Sequence, residues 1–407
     1  MGLGDCVMRV LQINTVNGTG STGRIVVDLY KALENKGHSC FIAYGRGESP
    51  EGINSYKIST SPDTHIHALK TRITDKTGFY SAYATSRFLG KIDAFDPDII
   101  HLHNLHGYYI NIEILFDYLR HIKKPVVWTL HDCWAFTGHC AYFDYVKCEK
   151  WKTGCYSCPQ KKNYPKSILL DNSKWNYKQK RQLFTSVENM TIVTPSSWLA
   201  GLVKESFLGK YDVRVINNGI DLDIFKPSVN DYRKKHELKD IFIILGVANI
   251  WDKRKGLDDF IKLSRLLEDT YKIVLVGLSE KQLKTIPENI IGIEKTNNIT
   301  KLAEIYSIAD VYVNAGVEET MGLTTVEALA CGIPVVVYDA TAIPECVDES
   351  VGFIVEKNNI QALAEAIKLT KNMNPFNKNS CITKAKSYNK QNKYKEYLDL
   401  YTCLYKM

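Results

Sequence analysis

Residues 7–44 read VMRVLQINTVNGTGSTGRIVVDLYKALENKGHSCFIAY, and this string decides the fold class. Apolar residues alternate through Val7–Asn14, Thr15–Gly23 is a Gly/Ser/Thr/Asn loop, and Ile25, Leu29 and Leu33 stand at helical spacing. Gly37 closes that helix, and Ser39–Tyr44 is the next strand. Further strands are predicted at Ile99–His103, Val126–Leu130 and Thr191–Pro195, with helical stretches between them. Such a βαβ series builds a mostly parallel sheet covered by helices on both faces. It restarts after Val213–Asn217, with strands at Ile241–Val247, Lys272–Gly277, Val311–Asn314 and Val335–Tyr338. Helices are predicted at Gly256–Leu267, Ile299–Ala309 and Thr324–Cys331, and Asn218–Pro227 carries hinge residues. The expectation is an α/β protein of two Rossmann-like, doubly wound domains facing a cleft. Residues 1–217 form the first, with a Cys-rich insertion at about 133–160; 218–384 form the second, and a terminal helix, 385–407, packs back on the first.

Composition agrees with two globular domains. The chain has 407 residues, 45% of them hydrophobic and 24% charged, so collagen-like, disordered and small disulfide-scaffold classes are excluded. There is no apolar run long enough to span a bilayer, and Met1–Val16 lacks the basic and apolar regions of a signal peptide, which predicts a cytoplasmic protein. The net charge of +7 lies wholly in the first half: residues 1–226 hold 28 Lys/Arg against 21 Asp/Glu, and 227–407 hold 24 against 24. Lys147–Arg181 alone carries ten basic residues against Glu149 and Asp171. Either it is a solubilising face or it meets an anionic partner, such as a membrane surface.

Gly18-Thr19-Gly20-Ser21-Thr22-Gly23 matches GxGxxG between a strand and a helix, where backbone N–H groups meet a pyrophosphate in dinucleotide-binding folds. Against that use, Thr15–Asn17 lengthen the turn and the next strand ends Tyr44-Gly45-Arg46-Gly47, without an acid for a ribose. A small-residue loop lining the cleft fits better. The strongest signal lies in 317–334, VEETMGLTTVEALACGIP. Glu319 leaves a strand, Glu327 follows eight residues later inside the next helix, and Gly322, Leu323 and Thr324 open that helix. Two carboxylates flanking a helix N-terminus suit a ligand with both hydroxyls and phosphate. A second element, Trp251–Gly256, brings Lys253, Arg254 and Lys255 to the start of a helix, where a cation can neutralise a leaving pyrophosphate.

These pieces, with Asn218-Gly219-Ile220-Asp221, Ser196-Ser197-Trp198 and Gly20–Arg24, occur in an order that resembles the retaining family 4 glycosyltransferases of GT-B fold. The resemblance covers nearly the whole chain. His131-Asp132 with Phe136-Thr137-Gly138 resembles the subgroup that assembles bacterial capsule and colanic-acid-type exopolysaccharides. The resemblance implies that Lys255 binds the donor diphosphate, Glu327 the ribose and Glu319 the donor sugar, with Gly322–Thr324 N–H groups near both. It places His131 on the sugar from the first domain, and Gly20 and Ser21 on the acceptor side. Where many relatives carry Arg six residues before the Lys, this chain has Asn249, and Arg254 is the candidate replacement. The implied partners are a UDP- or GDP-linked sugar and a saccharide acceptor, which in this family can be lipid-diphosphate-linked. Neither a nucleic acid nor a catalytic divalent cation is expected.

Cys140-x7-Cys148-x6-Cys155-x2-Cys158 has the spacing of a four-thiolate structural zinc site, with reduced thiols, an iron–sulfur cluster or a disulfide as the other readings. Asp96-Pro97-Asp98 and Asp221-Leu222-Asp223 spell DxD, and His101-Leu102-His103 has metallohydrolase spacing, but none has accompanying ligands. Two other classes stay open at this point: an NAD(P)-binding oxidoreductase, and a non-catalytic zinc-stapled protein that binds sugar or nucleic acid.

Overall fold

The computed structural model describes residues 7–235, 237–296 and 298–406. Met1–Cys6, at the head of the stretch read for a leader, lie outside the described residues. The chain divides into two compact units, Met1–Asn217 with Tyr394–Met407, and Asn218–Lys393.

The first unit is a seven-stranded parallel sheet. Its strands are β1 (Arg9–Val16), β2 (Ser39–Arg46), β3 (Ser55–Lys57), β4 (Ile99–Leu102), β5 (Val126–Thr129), β6 (Met190–Thr194) and β7 (Asp212–Val215), in the order β3-β2-β1-β4-β5-β6-β7. Leu11 and Ile13 of β1 pack into a cluster with Phe88, Phe116 and Trp128, while Met8 and Val10 join Val26, Leu29 and Tyr30 on the other face. A strand points successive side chains to opposite faces, so burial on both makes these strands nearly continuous apolar runs.

The second unit is a six-stranded parallel sheet of β8 (Phe242–Val247), β9 (Tyr271–Leu278), β10 (Ile290–Glu294), β11 (Val311–Asn314), β12 (Val335–Tyr338) and β13 (Gly352–Val355), in the order β10-β9-β8-β11-β12-β13. Both sheets reverse their strand order once, between β1 and β4 and between β8 and β11. Loops leaving the carboxyl ends of strands at such a reversal splay apart and leave a crevice.

Strands β3, β10 and β13 escape the sequence pattern. β3 is a three-residue edge strand with no buried member, β10 is interrupted by Gly292, and β13 alternates too briefly to register. The chain's end also differs from expectation. Helices run Lys378–Lys386 and Lys390–Tyr405, and the first unit regains the chain at Tyr394 rather than at 385. Tyr394, Tyr397 and Tyr401 are buried in the first unit's core; Tyr401 Oη is 2.6 Å from His101 Nδ1, and Tyr397 Oη is 3.1 Å from Thr129 Oγ1.

Residues 131–172 contain no helix or strand beyond three single 3₁₀ turns. What orders this stretch is side-chain anchoring. Lys180, wholly buried, donates to Trp134 O at 2.7 Å and Thr137 O at 3.1 Å, and His139 Nδ1 pairs with Asp75.

Candidate active site

In the second unit the crevice is built by the loops after β8 and β11. Asp252 caps the Lys253–Lys255 turn by accepting from Arg254 N at 2.9 Å. Gly256 follows with φ +77°, and a Cβ there would stand 2.3 Å from Ala315 O. Only glycine lets the two loops pass this closely. The closeness has a product: Lys255 Nζ lies 2.8 Å from Glu319 Oε1, with Glu319 only 7% exposed.

The Glu319 loop is pinned from several sides. Its N–H donates to Thr341 Oγ1 at 2.9 Å, and Val317 N donates to Arg254 O at 2.8 Å. Arg254 is ion-paired as well. Its guanidinium pairs with Asp252 at 2.7 Å and reaches Glu318 O at 3.5 Å, so it clamps the two loops together. Asn249 is exposed on the way into this loop.

The Leu323–Ala330 helix begins beyond, with Gly322 at its N-cap. Tyr312 Oη donates to Thr324 Oγ1 at 2.7 Å, and Tyr306 Oη donates to Glu327 Oε2 at 2.8 Å. Burial, with the nearby carboxylates adding to it, holds both phenols far above their usual range, so they remain protonated donors. Lys255, Glu319, Gly322–Thr324 and Glu327 therefore all belong to the two loops and one helix at the strand reversal. Tyr306 and Tyr312 were silent in sequence because a tyrosine on an apolar helix face or strand reads as core.

At the strand ends of the first unit stand the His103 and His131 imidazoles and one buried carboxylate, Asp132. His103 follows β4 and His131 follows β5; His103 Nδ1 and His131 Nε2 are 3.1 Å apart, with the rings stacked. Burial pulls the His131 imidazole down to about 4, against an opposing effect of Asp132, so it is neutral at neutral pH. Asp132 Oδ2 is 2.8 Å from His106 Nε2, whose Nδ1 lies 2.8 Å from Tyr164 Oη. Thr15 Oγ1 donates to Asn104 O at 3.0 Å, which ties the Gly-rich loop to the His103–His106 turn. Gly20 and Ser21 open the Gly20–Glu34 helix and are exposed. The strand alternation of His101 and His103 was visible in sequence; Tyr164, 58 residues from His106, was not.

The DxD triplets are structural. Asp221 pairs with Lys390 at 2.6 Å, Asp98 accepts from Arg9 N at 2.7 Å, and Asp96 pairs with the Arg9 guanidinium.

Cys140, Cys148, Cys155 and Cys158 line one cavity with Phe143, Trp151 and Tyr156. Gly138 N donates to Cys155 Sγ at 3.1 Å, and the Cys140 and Cys158 thiols hydrogen-bond to each other. The four expected ligands line the same cavity, but among the described residues no group of three or more His, Cys, Asp or Glu is disposed so that it could hold a metal ion.

With this geometry in view, the comparisons decide the family. The model described as "Glycosyltransferase Family 4" matches residues 22–224, and "Glycosyl transferases group 1" matches 228–388. The chain belongs to the family 4 glycosyltransferases. The putative colanic acid biosynthesis glycosyl transferase WcaC of Escherichia coli K12 is 26% identical over 378 residues, 89% of this chain and 90% of that one. In fold, the chain is similar to a sucrose-phosphate synthase from Thermosynechococcus elongatus (TM-score 0.73, 17% identity, 98% and 99% of the two chains). It is also similar to Anabaena HepE, solved with UDP-glucose (TM-score 0.68, 14% identity, 97% and 100%). Two parallel-sheet Rossmann-like units are the GT-B architecture, the fold this chain shares with these solved structures. Neither the oxidoreductase nor the non-catalytic reading finds support among them.

Proposed function

We propose that this family 4 transferase moves a sugar, with retention at the anomeric carbon, from a UDP- or GDP-linked donor to a growing cell-surface polysaccharide of the capsule or exopolysaccharide kind. The observation that carries the reading is the Lys255–Glu319 ion pair at the strand reversal of the second unit. When a donor binds, its diphosphate competes for the Lys255 ammonium. Glu319 is then released to accept hydrogen bonds from the sugar, whose charge turns positive as the bond to the diphosphate breaks. Lys255 and the N-terminus of the Leu323–Ala330 helix stabilise the negative charge that grows on the leaving group, in a site that needs no reorganisation at that moment.

Glu327, held by Tyr306, accepts from the ribose hydroxyls. His131, neutral and braced by His103, hydrogen-bonds the sugar from the first unit. The acceptor oxygen attacks from the face the diphosphate leaves, the carbon–oxygen bond to the donor breaks as the new one forms, and the acceptor proton passes to a leaving phosphate oxygen. Lysine and a helix end do here what a divalent cation does elsewhere, so catalysis proceeds without one. Gly20 and Ser21 face the acceptor. Cys140, Cys148, Cys155 and Cys158 are the residues that would hold a structural zinc ion once their sulfurs draw together; four soft sulfurs around one cavity, one already accepting an amide N–H, are the donor set zinc prefers.

The test is release of nucleoside diphosphate from a panel of UDP- and GDP-sugars by the purified protein, with the anomeric configuration of the product read by NMR. The reading fails if no nucleotide sugar is consumed and neither UDP nor GDP raises the melting temperature, and the retaining part fails if the product is inverted.

A further inference from the structure

The Ser61–Thr74 helix is inside out. Its buried side chains are His67 and Thr71, whereas Ile66, Leu69 and Ile73, at intervals of three and four, are 53%, 58% and 42% exposed. A helix packed on a core ordinarily shows it the aliphatic stripe. Here the polar face is satisfied inward: Gly78 N donates to His67 Nε2 at 3.3 Å, and His67 Nδ1 is 2.8 Å from Ser81 Oγ.

A second apolar segment is fastened to the same helix. Ile168 N donates to Arg72 O at 2.7 Å and Leu170 N to Ile73 O at 3.1 Å. Ile168, Leu169 and Leu170 are each more than half exposed. Two segments almost a hundred residues apart thus bring six large aliphatic side chains to one surface. Singly exposed aliphatics are ordinary; a gathered patch marks a contact.

The charges around it are predominantly basic, five cations against the Asp63 and Asp171 carboxylates. Lys70, Arg72, Lys162, Lys166 and Lys174 are exposed on the two segments and their flanks. The acids in range are engaged: Asp63 in the helix cap with Thr60, and Asp171 with Ser173 and the Cys158 N–H. Composition chooses between a protein and a lipid occupant. Protein interfaces are rich in aromatic residues and Arg and poor in Lys, whereas Ile and Leu rimmed by long Lys side chains suit an acyl–headgroup boundary. Tyr164 and Trp175, both partly exposed beside the patch, have the amphipathic rings found at headgroup level.

We propose that the Ile66, Leu69 and Ile73 face of this helix, with Ile168–Leu170 and the surrounding lysines, docks the protein on an anionic lipid bilayer. Tyr164 belongs to the docking loop and is one hydrogen bond from His106, itself bonded to Asp132 beside His131. A lipid-carried acceptor would therefore be delivered next to the first unit's candidate site; that consequence rests on the transferase reading, while the docking itself does not.

Vesicle flotation tests it, using phosphatidylcholine with and without phosphatidylglycerol at low and high salt. The wild type is expected to float with the anionic vesicles at low salt and to release at high salt. Ile66→Ser/Leu69→Ser/Ile73→Ser and, separately, Lys162→Glu/Lys166→Glu are each expected to weaken binding at least about tenfold. Circular dichroism, and donor hydrolysis in vesicle-free solution, check that each variant is folded. If the triple variant is unfolded, the charge-reversal pair decides alone. No flotation of the wild type with anionic vesicles, undiminished binding by the folded variants, or a dimer that the same serine substitutions dissolve would overturn the proposal. Absent donor hydrolysis with intact flotation would instead strike only the transferase reading.

Discussion

The two units share one strand order around their reversal points, yet they furnish those points with opposite chemistry. The second presents formal charges, Lys255 against Glu319 at 2.8 Å. The first presents imidazoles that burial keeps neutral, His103 against His131 at 3.1 Å. Nine of the ten histidines lie before residue 218. On the proposed function, the charged pair would meet a diphosphate, whose negative charge changes during reaction, and the neutral imidazoles a sugar's hydroxyls. One fold can therefore divide recognition between its copies by changing only what stands on the loops.

The largest expected effect tests the charged half. Lys255→Ala should lower kcat/KM by roughly 3–4 kcal/mol of transition-state stabilisation, the usual cost of a preorganised electrostatic group, with Glu319→Ala close behind and the fold intact. Steady-state kinetics with circular dichroism checks it, and near-normal turnover by Lys255→Ala would end the assignment. Gly256→Ala sharpens the same point through the backbone. Its Cβ would meet Ala315 O, so the two loops must part, with a stability loss of about 1–3 kcal/mol and disproportionate loss of activity.

Acid tests the neutral half. Burial pulls His67 down to about 3 and His131 to about 4, and holds His101 and His103 well below their ordinary value. As pH falls below about 6.5 the unfolded chain binds these protons first, so stability present at neutrality is lost from about 6.5 down through about 3. His139 works the other way, because Asp75 outweighs burial and raises it. Hydrogen exchange at pH 5 should show the first unit losing protection, on the order of a few kcal/mol, while the second keeps its own. Equal loss in both would break the comparison.

Metal separates the units again. Initial rates should withstand EDTA, whereas protein made with zinc available should carry about one zinc per chain, and Cys155→Ser should lower the first unit's melting temperature. Zinc-free protein on elemental analysis, or rates that require added magnesium or manganese, would each refute one half of that expectation. The smallest effect belongs to Tyr306→Phe. It removes one hydrogen bond to Glu327, and the donor KM should rise by a factor matching about 1 kcal/mol with kcat little changed.

The fold was largely legible because parallel strands buried on both faces announce themselves as apolar runs between helices. The ionic half of the site was legible too, since glycine, lysine and glutamate at turn positions have few other reasons to sit together. The rest depended on pairings that sequence distance conceals. Nothing in the spacing tells that Arg254, read as a candidate phosphate cation, also pairs with Asp252 and ties the two loops together. The docking face stayed hidden because Ile66, Leu69 and Ile73 read as an inward stripe, and only the packing of His67 and Thr71 turns the helix round. The Cys quartet was legible as a cluster, but spacing alone does not fix how its sulfurs are disposed.

The tyrosines of the Lys390–Tyr405 helix bear on the order in which a nascent chain can fold. The second unit is one continuous stretch, Asn218–Lys393, and can close as soon as it has been synthesised. The first cannot: Tyr401 supplies the hydroxyl beside buried His101 Nδ1, and Tyr397 the one beside Thr129. Until residues 394–405 leave the ribosome, that imidazole nitrogen faces an unfilled slot in the core. Although domains commonly complete themselves from the N-terminus onward, this protein's first domain is finished last.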